Sequence, residues 1–300
     1  MKRTAILVAI VLGGIGLAVA AQQPAAGQGG QGAGRGPQGP NVAEIEKVKD
    51  NLYMLTGGGG NTAALIRADG VTLVDTKLAN WGPAIMEKLR TVTDKPVTMI
   101  INTHTHGDHV GSNEFFDTRV EIVTHENTRA NMEKMEALKG KANAMPDRAF
   151  KDRLTVGRGA EQIDLYYFGA GHTNGDALVV FPALRLLHMG DLFPGKQAPF
   201  VDATNGGSGV AYPDTLAKAT QTIRNVDTVI PGHSTPMTWA DLIEFTEFNR
   251  EFLAGARAAR QAGRTPEQAA AELKLPAKFS GYTMTRAPAN MTVIFNELAR

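Results

Sequence analysis

Apolar runs of about four to seven residues, bounded by glycine, proline and charged residues, recur along the chain from about residue 42. Their length and the turn residues between them predict β-strands. Residues 81–90 and 213–224 instead place apolar side chains three and four positions apart, which predicts amphipathic helices. A further helix is predicted over residues 126–138. The chain is therefore expected to mix strands with helices. The predicted strands are 52–55, 63–66, 71–74, 97–101, 120–123, 162–168, 177–181, 184–189 and 226–230.

The last third of the chain has a helical pattern. Residues 238–262 carry leucine and phenylalanine near one face, which predicts a long helix with a buried aromatic stripe. Another helix is predicted to start at Thr265, because proline follows it and a capping-box glutamine stands three positions later. A final helix is expected over 290–298. Residues 139–160 show no clear period, and we interpret them as a surface loop, with a substrate-bordering lid as the alternative.

The amino-terminal forty residues differ in composition from the rest. Two basic residues precede an apolar run that ends in Ala18-Val19-Ala20, the three-part pattern of a secretory signal peptide. The mature chain is expected to start near Ala21 and to be periplasmic or secreted, with no stable membrane span left after cleavage. An uncleaved anchor is the alternative, although the run is short for spanning and contains three glycines. The predicted division is a signal peptide over 1–20, a disordered Gly/Gln/Pro-rich tether over 21–41, one folded domain over 42–240, and C-terminal helices over 241–300 packed on that domain.

The composition of the chain limits the possible metal ligands and binding partners. The 300 residues include no cysteine, so disulfides and thiolate ligands are excluded and any metal must be held by nitrogen and oxygen. Removing Lys2 and Arg3 from the 31 basic residues leaves 29, against 30 acidic residues. This balance argues against a nucleic-acid partner, which would require a basic face.

The densest group of metal donors lies in residues 101–113, INTHTHGDHVGSN, where a predicted strand ends and a loop opens. Residues two apart on an extended backbone point the same way, so His104 and His106 can bind one ion. Gly107 is expected to permit a sharp turn that brings the next donors to a neighbouring position. Imidazole and carboxylate donors together suit zinc. The four donors are His104, His106, Asp108 and His109.

The order His-x-His-x-Asp-His resembles the metal-binding motif of the metallo-β-lactamase superfamily. Three later positions fit the same pattern: His172 within Gly-His-Thr-x-Gly-Asp, Asp191 at the end of an apolar strand, and His233 in Pro-Gly-His-Ser. The resemblance covers about residues 50–235. It implies an α/β fold, a four-layer αββα metallo-β-lactamase sandwich with a C-terminal helical extension, whose ligand loops lie along one edge of the sheets.

The resemblance also implies roles for the donors and for one further acid. Asp75 ends a predicted apolar strand and is expected to support the metal loop from outside the ligand set. Its alternative role is a cap for the next segment. Asp108 is assigned the catalytic role in addition to metal binding. By the resemblance one zinc ion is held by His104, His106 and His172, a second by Asp108, His109 and His233, and both by a bridging Asp191.

These assignments imply an exported zinc-dependent hydrolase in which a hydroxide shared by two Zn²⁺ ions attacks a carbonyl carbon. Iron or manganese are the alternative metals. The expected substrate is a small ester, lactone, thioester or β-lactam-like amide. The antibiotic-cleaving members of the superfamily place cysteine or another residue where Asp191 stands, so β-lactam hydrolysis is expected to be secondary.

Several alternatives stay open. One is an iron-dependent oxygenase or oxidoreductase on the same fold, and another is a phosphodiesterase. A nuclease is disfavoured by the export pattern and the balanced charge, and a non-catalytic metal-binding scaffold by the complete set of seven donors. The oligomeric state is left open.

Overall fold

Two β-sheets packed face to face form the centre of the molecule. The structure, a computed structural model, describes residues 41–300. The predicted signal peptide, 1–20, and all but the last residue of the predicted tether, 21–41, lie outside the described residues.

The first sheet has seven strands, which are neighbours in the sheet in the order in which they follow in sequence. They are β1 (Glu44–Lys49), β2 (Leu52–Thr56), β3 (Thr62–Ile66), β4 (Val71–Val74), β5 (Val97–Ile101), β6 (Glu121–His125) and β7 (Arg148–Phe150). The strands β1 to β4 pair antiparallel, and β4 to β7 pair in parallel. The loops that follow β4, β5 and β6 therefore leave the sheet at the same edge.

The second sheet has six strands in the spatial order β13-β12-β11-β10-β9-β8. They are β8 (Arg153–Val156), β9 (Ile163–Tyr166), β10 (Leu178–Phe181), β11 (Leu186–His188), β12 (Thr228–Ile230) and β13 (Met237–Thr238). The strands β11 and β12 are parallel, and the other pairs are antiparallel. The loops after β11 and β12 therefore emerge side by side.

Apolar side chains from both sheets fill the space between them. Alternate residues face this core, for example Leu52 and Met54 of β2 and, opposite, Ile163 and Leu165 of β9. Period-two alternation directs these residues to one face of each strand. Each such fully buried side chain contributes about 1.5–3 kcal/mol to folding. The contact between the sheets holds their loop-bearing edges together.

Helices cover the outer faces of both sheets. They are α1 (Gly82–Leu89), α2 (Gly107–Val110), α3 (Glu126–Met132), α4 (Tyr212–Thr222), α5 (Trp239–Gln261), α6 (Pro266–Glu272) and α7 (Ala287–Glu297). Ile85 and Leu89 of α1 pack on the first sheet. Leu216, Phe245 and Met291, from α4, α5 and α7, belong to the cluster on the second sheet. The four-layer αββα fold is thus confirmed. No helix between residues 41 and 300 combines the length and apolar character needed to cross a membrane.

Helix starts in the last third follow the predicted capping chemistry. Gln268 donates its backbone N–H to the hydroxyl of Thr265, and its side chain accepts from the Thr265 backbone N–H. Thr238 and Asp241 make the same reciprocal pair at the start of α5. Such pairs satisfy backbone donors that a helix end leaves free.

Two stretches differ from their sequence-based predictions. Residues 139–160 include β7 and β8, which carry the chain from one sheet to the other, and three or four residues are too few for a period to show. The helix predicted over 126–138 ends at Met132. Met132 and Leu138 both enter a small apolar cluster, but six residues of helix would turn them roughly 120° apart. Breaking the helix lets both be buried.

Candidate metal centre

All seven predicted donors lie at one edge of the two sheets, in the loops and the short helix that follow the strands. The motif of four donors follows β5, and His172 lies in the loop between β9 and β10. Asp191 follows β11, and His233 follows β12. Because the sheets are packed together, loops from distant parts of the chain meet there. The donor atoms form two groups, each with all its atoms within 4.8 Å of one another: His104, His106, His172 and Asp191, and Asp108, His109 and His233.

The central motif is divided between an extended segment and a helical turn. His106 has an extended backbone and precedes α2. Gly107 begins α2 without a positive φ, and a Cβ there would meet no atom within 4 Å. The chain does turn at Gly107 as expected, but the turn does not depend on glycine. The first turn of α2 carries Asp108 and His109 away from His106 toward the second group.

Two histidines of the first group are oriented by acceptors outside the group. The imidazole of His172 donates from Nδ1 to the backbone oxygen of Phe200, at 2.6 Å. His106 donates from Nε2 to a carboxylate oxygen of Asp202, at 2.8 Å. A carbonyl and an ionised carboxylate only accept, so each contact fixes the proton on the outward nitrogen. The inward nitrogen of each ring therefore carries a lone pair.

His104 is oriented through a hydroxyl. The Thr103 hydroxyl donates to Asp75, so toward the adjacent His104 Nδ1, 3.0 Å away, it can only accept. His104 Nδ1 therefore carries the proton and Nε2 faces inward with a lone pair. The Nε2 atoms of His104 and His172 lie 3.2 and 2.9 Å from His106 Nδ1. Three lone pairs that converge with no proton between them repel, and a shared cation removes this repulsion, so the donor set fits a metal ion.

The second group shows the same arrangement. His109 donates from Nδ1 to Asp75 at 2.7 Å, which leaves Nε2 facing inward. His109 Nε2 and Asp191 Oδ1 are both buried without a hydrogen-bond partner among the described residues. They lie 3.3 Å apart, and His233 Nε2 lies 3.1 Å from the same carboxylate oxygen and 3.4 Å from Asp108. Buried polar atoms left without partners are costly, and a bound cation would satisfy both.

Asp191 lies between the two groups. Its Oδ1 lies 3.3 Å from His109 Nε2, its Oδ2 lies 3.7 Å from His172 Nε2, and His233 Nε2 lies 3.1 and 3.2 Å from Oδ1 and Oδ2. Its two oxygens thus present negative charge to both groups at once.

The buried imidazoles of the first group are held in the neutral form. Burial, reinforced by the neighbouring rings of His109 and His172, lowers the pKa of His104 well below its ordinary value. Burial likewise lowers the pKa of His172 to about 4. Neutral imidazole is the form that binds metal ions.

Asp75 contacts the donor segment at three points. It accepts from the backbone N–H and the hydroxyl of Thr103 and from His109, and it is fully buried. Its φ of 64° lies in the left-handed region, which aspartate adopts more readily than most residues. The apolar strand β4 ends there and the backbone turns the carboxylate toward the donors.

The glycine run between β2 and β3 packs against the donors instead of extending freely. A Cβ at Gly60 would lie 2.2 Å from the ring of His109, and one at Gly232 would lie 1.9 Å from Asp191. The buried ammonium group of Lys77 donates to the Gly60 backbone oxygen at 2.9 Å and holds the run in place. These close approaches require glycine.

The sequence did not predict the hydrogen-bond acceptors that orient His106 and His172. The sequence predicts only a loop over residues 202–209, without a donor motif, and Phe200 lies just before it. The one available signal was an acid at the start of Asp-Ala-Thr-Asn, where Asp202 also accepts from the backbone N–H groups of Thr204 and Asn205. Two other histidines, His125 and His188, make backbone contacts elsewhere and belong to neither donor group.

Comparison with known proteins agrees with this architecture. Residues 55–233 match the family model of the metallo-beta-lactamase superfamily. The "Metallo-beta-lactamase type 2" of Elizabethkingia meningoseptica is 29% identical over 226 residues, covering 69% of this chain and 83% of the relative. The protein of the same name from Bacteroides fragilis is 28% identical over 173 residues, covering 57% of this chain. The chain spans 63% of the length of that relative, which is less than two thirds.

A solved structure shares the fold. The stereoselective inverting sec-alkylsulfatase from Pseudomonas sp. superposes with a TM-score of 0.74 at 14% identity. The match covers 85% of this chain and 50% of that one. At this identity the likeness concerns the fold alone.

Proposed function

The chain belongs to the metallo-β-lactamase superfamily of metal-dependent hydrolases, and from this premise we propose that it is an exported enzyme that uses two zinc ions to hydrolyse a carbonyl compound. The observation that carries the proposal is the position of Asp191 between two groups of nitrogen and oxygen donors. A carboxylate shared in this way supports two adjacent cations better than one. Zinc is proposed because the donors are imidazoles and carboxylates, with no cysteine in the chain.

The proposed division of ligands follows the two groups. His104, His106 and His172 would hold one ion, Asp108, His109 and His233 the other, and Asp191 both. When bound, zinc ions polarise a carbonyl oxygen and make water acidic enough to act as a nucleophile near neutral pH.

The side chains of the protein orient the metal-binding histidines and accept a proton from the attacking water. Asp75 and Asp202 hold the rings of His109 and His106 with their lone pairs inward. Asp108 is proposed as the catalytic residue because its carboxylate is about a quarter exposed, whereas the His109 side chain is fully buried. A carboxylate on the open side of the donors can accept a proton from an attacking water.

A carbonyl substrate is proposed over a phosphodiester because of the balanced charge of the chain. β-Lactam amide hydrolysis is the second candidate, since two relatives are named metallo-beta-lactamases. We place it second because the antibiotic-cleaving enzymes of the superfamily place cysteine or another residue where Asp191 stands.

Metal analysis joined to a hydrolysis panel tests the proposal. Purified protein is expected to carry two zinc ions per chain and to hydrolyse at least one of an ester, a lactone, a thioester or a β-lactam. Removing the metal with a chelator should lower that activity at least about a hundredfold, and adding Zn²⁺ back should restore it. Phosphodiester and sulfate ester substrates serve as comparison arms.

Two outcomes would count against this proposal. Activity that survives complete metal removal would refute metal-dependent hydrolysis. Activity confined to phosphodiesters or sulfate esters would refute the carbonyl substrate, and iron-loaded protein that consumes dioxygen would favour the oxidoreductase alternative.

Export is tested by the amino terminus of the mature chain. Protein recovered from the periplasm or medium of a Gram-negative host is expected to begin at Ala21. Ala20→Phe should block cleavage, because signal peptidases need a small residue at this position, whereas Val19→Phe next to it should be tolerated. Protein that retains Met1 and stays in the cytoplasm would contradict export.

A further inference from the structure

A cleft beside the donor groups is lined by residues from two distant parts of the chain. Its volume is about 190 Å³, which is small compared with the roughly 300–1,000 Å³ of pockets for drug-sized ligands. Two lining residues are proposed metal ligands, so a molecule in the cleft reaches the reaction centre. The lining residues are Asp191, Pro194, Gln197, Phe200, His233 and Arg286.

Arg286 is the one cationic side chain other than histidine in that lining, and it lies beyond the residues that match the family model. Its guanidinium carbon lies 4.8 Å from the ring centroid of Phe200. The Phe200 ring also stacks with His106, with centroids 5.9 Å apart and planes inclined by 28°. The aromatic ring therefore contacts both the guanidinium group and an imidazole of the metal centre.

Helix α7 fixes the position of Arg286. Asn290, one turn after Arg286, is buried and donates to the backbone oxygen of Pro199 at 2.7 Å. At the far end of the helix, Glu297 accepts from the backbone N–H of Gly209 at 2.9 Å. Both contacts attach α7 to the segment that carries Phe200, so the backbone of Arg286 is fixed beside the cleft, and its exposed side chain reaches the Phe200 ring.

The charge of Arg286 is not used within the protein. No ion pair joins its side chain to a carboxylate anywhere in the described part of the chain, although other arginines such as Arg153 and Arg185 have such partners. A guanidinium that rests on an aromatic ring keeps its in-plane N–H donors available. These donors match the two oxygens of a carboxylate.

On the basis of the proposed hydrolase function, we propose that Arg286 binds a carboxylate of the substrate, so that the enzyme acts on small carbonyl compounds bearing a carboxylate a few bonds from the bond that is cleaved. The reacting carbonyl group faces Asp191 and His233, and the carboxylate lies over Phe200 against the guanidinium group. The small cleft volume limits the segment between them to a short chain.

Two esters with the same leaving group test this assignment. Mono-4-nitrophenyl glutarate carries a carboxylate on its acyl chain, and 4-nitrophenyl butyrate is neutral. In Arg286→Met the KM for the glutarate ester is expected to rise about 10-fold to 100-fold, because a charge-assisted contact is lost. The kinetic constants for the butyrate ester should change less than about threefold. Arg286→Lys should keep part of the preference, since it retains the charge but not the planar donors.

A binding measurement provides a second readout that does not depend on turnover. Calorimetric titration with glutarate should give a dissociation constant about 10-fold or more higher for Arg286→Met than for the unchanged protein. The matched control is Arg257→Met, which removes the same charge from an exposed position of α5 that does not line the cleft. It should alter neither the ester preference nor glutarate binding.

The outcomes separate this assignment from the proposed function. If the unchanged protein hydrolyses esters but Arg286→Met affects both esters equally or neither, the assignment is overturned and the hydrolase proposal stands. If the unchanged protein hydrolyses no carbonyl compound, the hydrolase proposal fails. Equal glutarate affinity in Arg286→Met and Arg257→Met would then overturn the carboxylate assignment as well.

Discussion

Asp191→Asn is expected to lower kcat/KM at least about a thousandfold and to reduce the bound metal from two ions to one or none per chain. Asparagine keeps the size of the side chain but removes the charge that faces both donor groups. Its amide nitrogen would replace one of the two oxygens. One oxygen faces His109, the other faces His172, and His233 lies close to both. Metal content by elemental analysis and steady-state kinetics on the best substrate measure the effect.

A matched control separates this effect from the general cost of losing a buried carboxylate. Asp164 on β9 is 5% exposed and interacts with Thr155, Gln162 and Arg153, away from both donor groups. Asp164→Asn is expected to reduce thermal stability while the folded protein keeps two metal ions and full kcat. An Asp191→Asn protein that still held both ions and most of its activity would rule out the bridging role.

The residues that the sequence identified are those whose position follows from strand direction. A donor that comes directly after an apolar run, such as His104 or Asp191, lies at a strand end, and strand ends in a layered sheet fold gather at one edge. The spacing of His104 and His106 predicts that these two share an ion, whereas the rest of the proposed division follows from the family resemblance. Neither inference needs knowledge of how the loops are folded.

The residues that the sequence did not identify act through contacts between loops. Asp202 meets His106 across 96 positions of sequence, and no local pattern marks such a pair. Arg286 reaches the cleft only because α7 is attached to the segment before α4. The close approach of Gly60 to His109 is likewise a tertiary property, since the same glycines alone favour a flexible loop. Loop-to-loop contacts depend on the packed layers, which short-range patterns do not determine.

These outward contacts make the donor geometry a property of the whole fold. Asn61, after the glycine run, donates its backbone N–H to the Gly232 oxygen at 2.7 Å, which joins the loop after β2 to the loop that carries His233. Asp75 joins the end of β4 to the segment after β5. The two sheets are therefore connected at their loop edge by hydrogen bonds as well as by the apolar core. Removing one of these hydrogen bonds is therefore expected to disturb the geometry of the second donor group more than the packing of the remote helices.

Asp75→Asn tests this connection directly, and we expect it to weaken metal binding about a hundredfold, at the second group through His109 and at the first through Thr103 and His104. We expect kcat/KM to fall by at least as much. Asparagine tolerates the positive φ of this position, so the backbone is preserved. If its amide N–H faces His109 Nδ1, that nitrogen must accept, and the imidazole proton moves to Nε2. The lone pair that faced Asp191 and His233 is then lost. Metal affinity from competition with a chromophoric chelator, together with kinetics, measures the change.

The control for Asp75 is another buried acid that braces a donor loop without contacting a histidine. Asp176 accepts from the backbone N–H and the hydroxyl of Thr173, beside His172. Asp176→Asn removes a comparable pair of hydrogen bonds but leaves every imidazole tautomer in place, so it should lower thermal stability while the second metal ion stays bound. If both variants lost that ion equally, general loosening of the loops would explain the loss, and if Asp75→Asn kept it, the proton on His109 would not be controlled by Asp75. The role of Asp75 in directing the His109 lone pair inward is supported only if Asp75→Asn loses the second metal ion and Asp176→Asn keeps it.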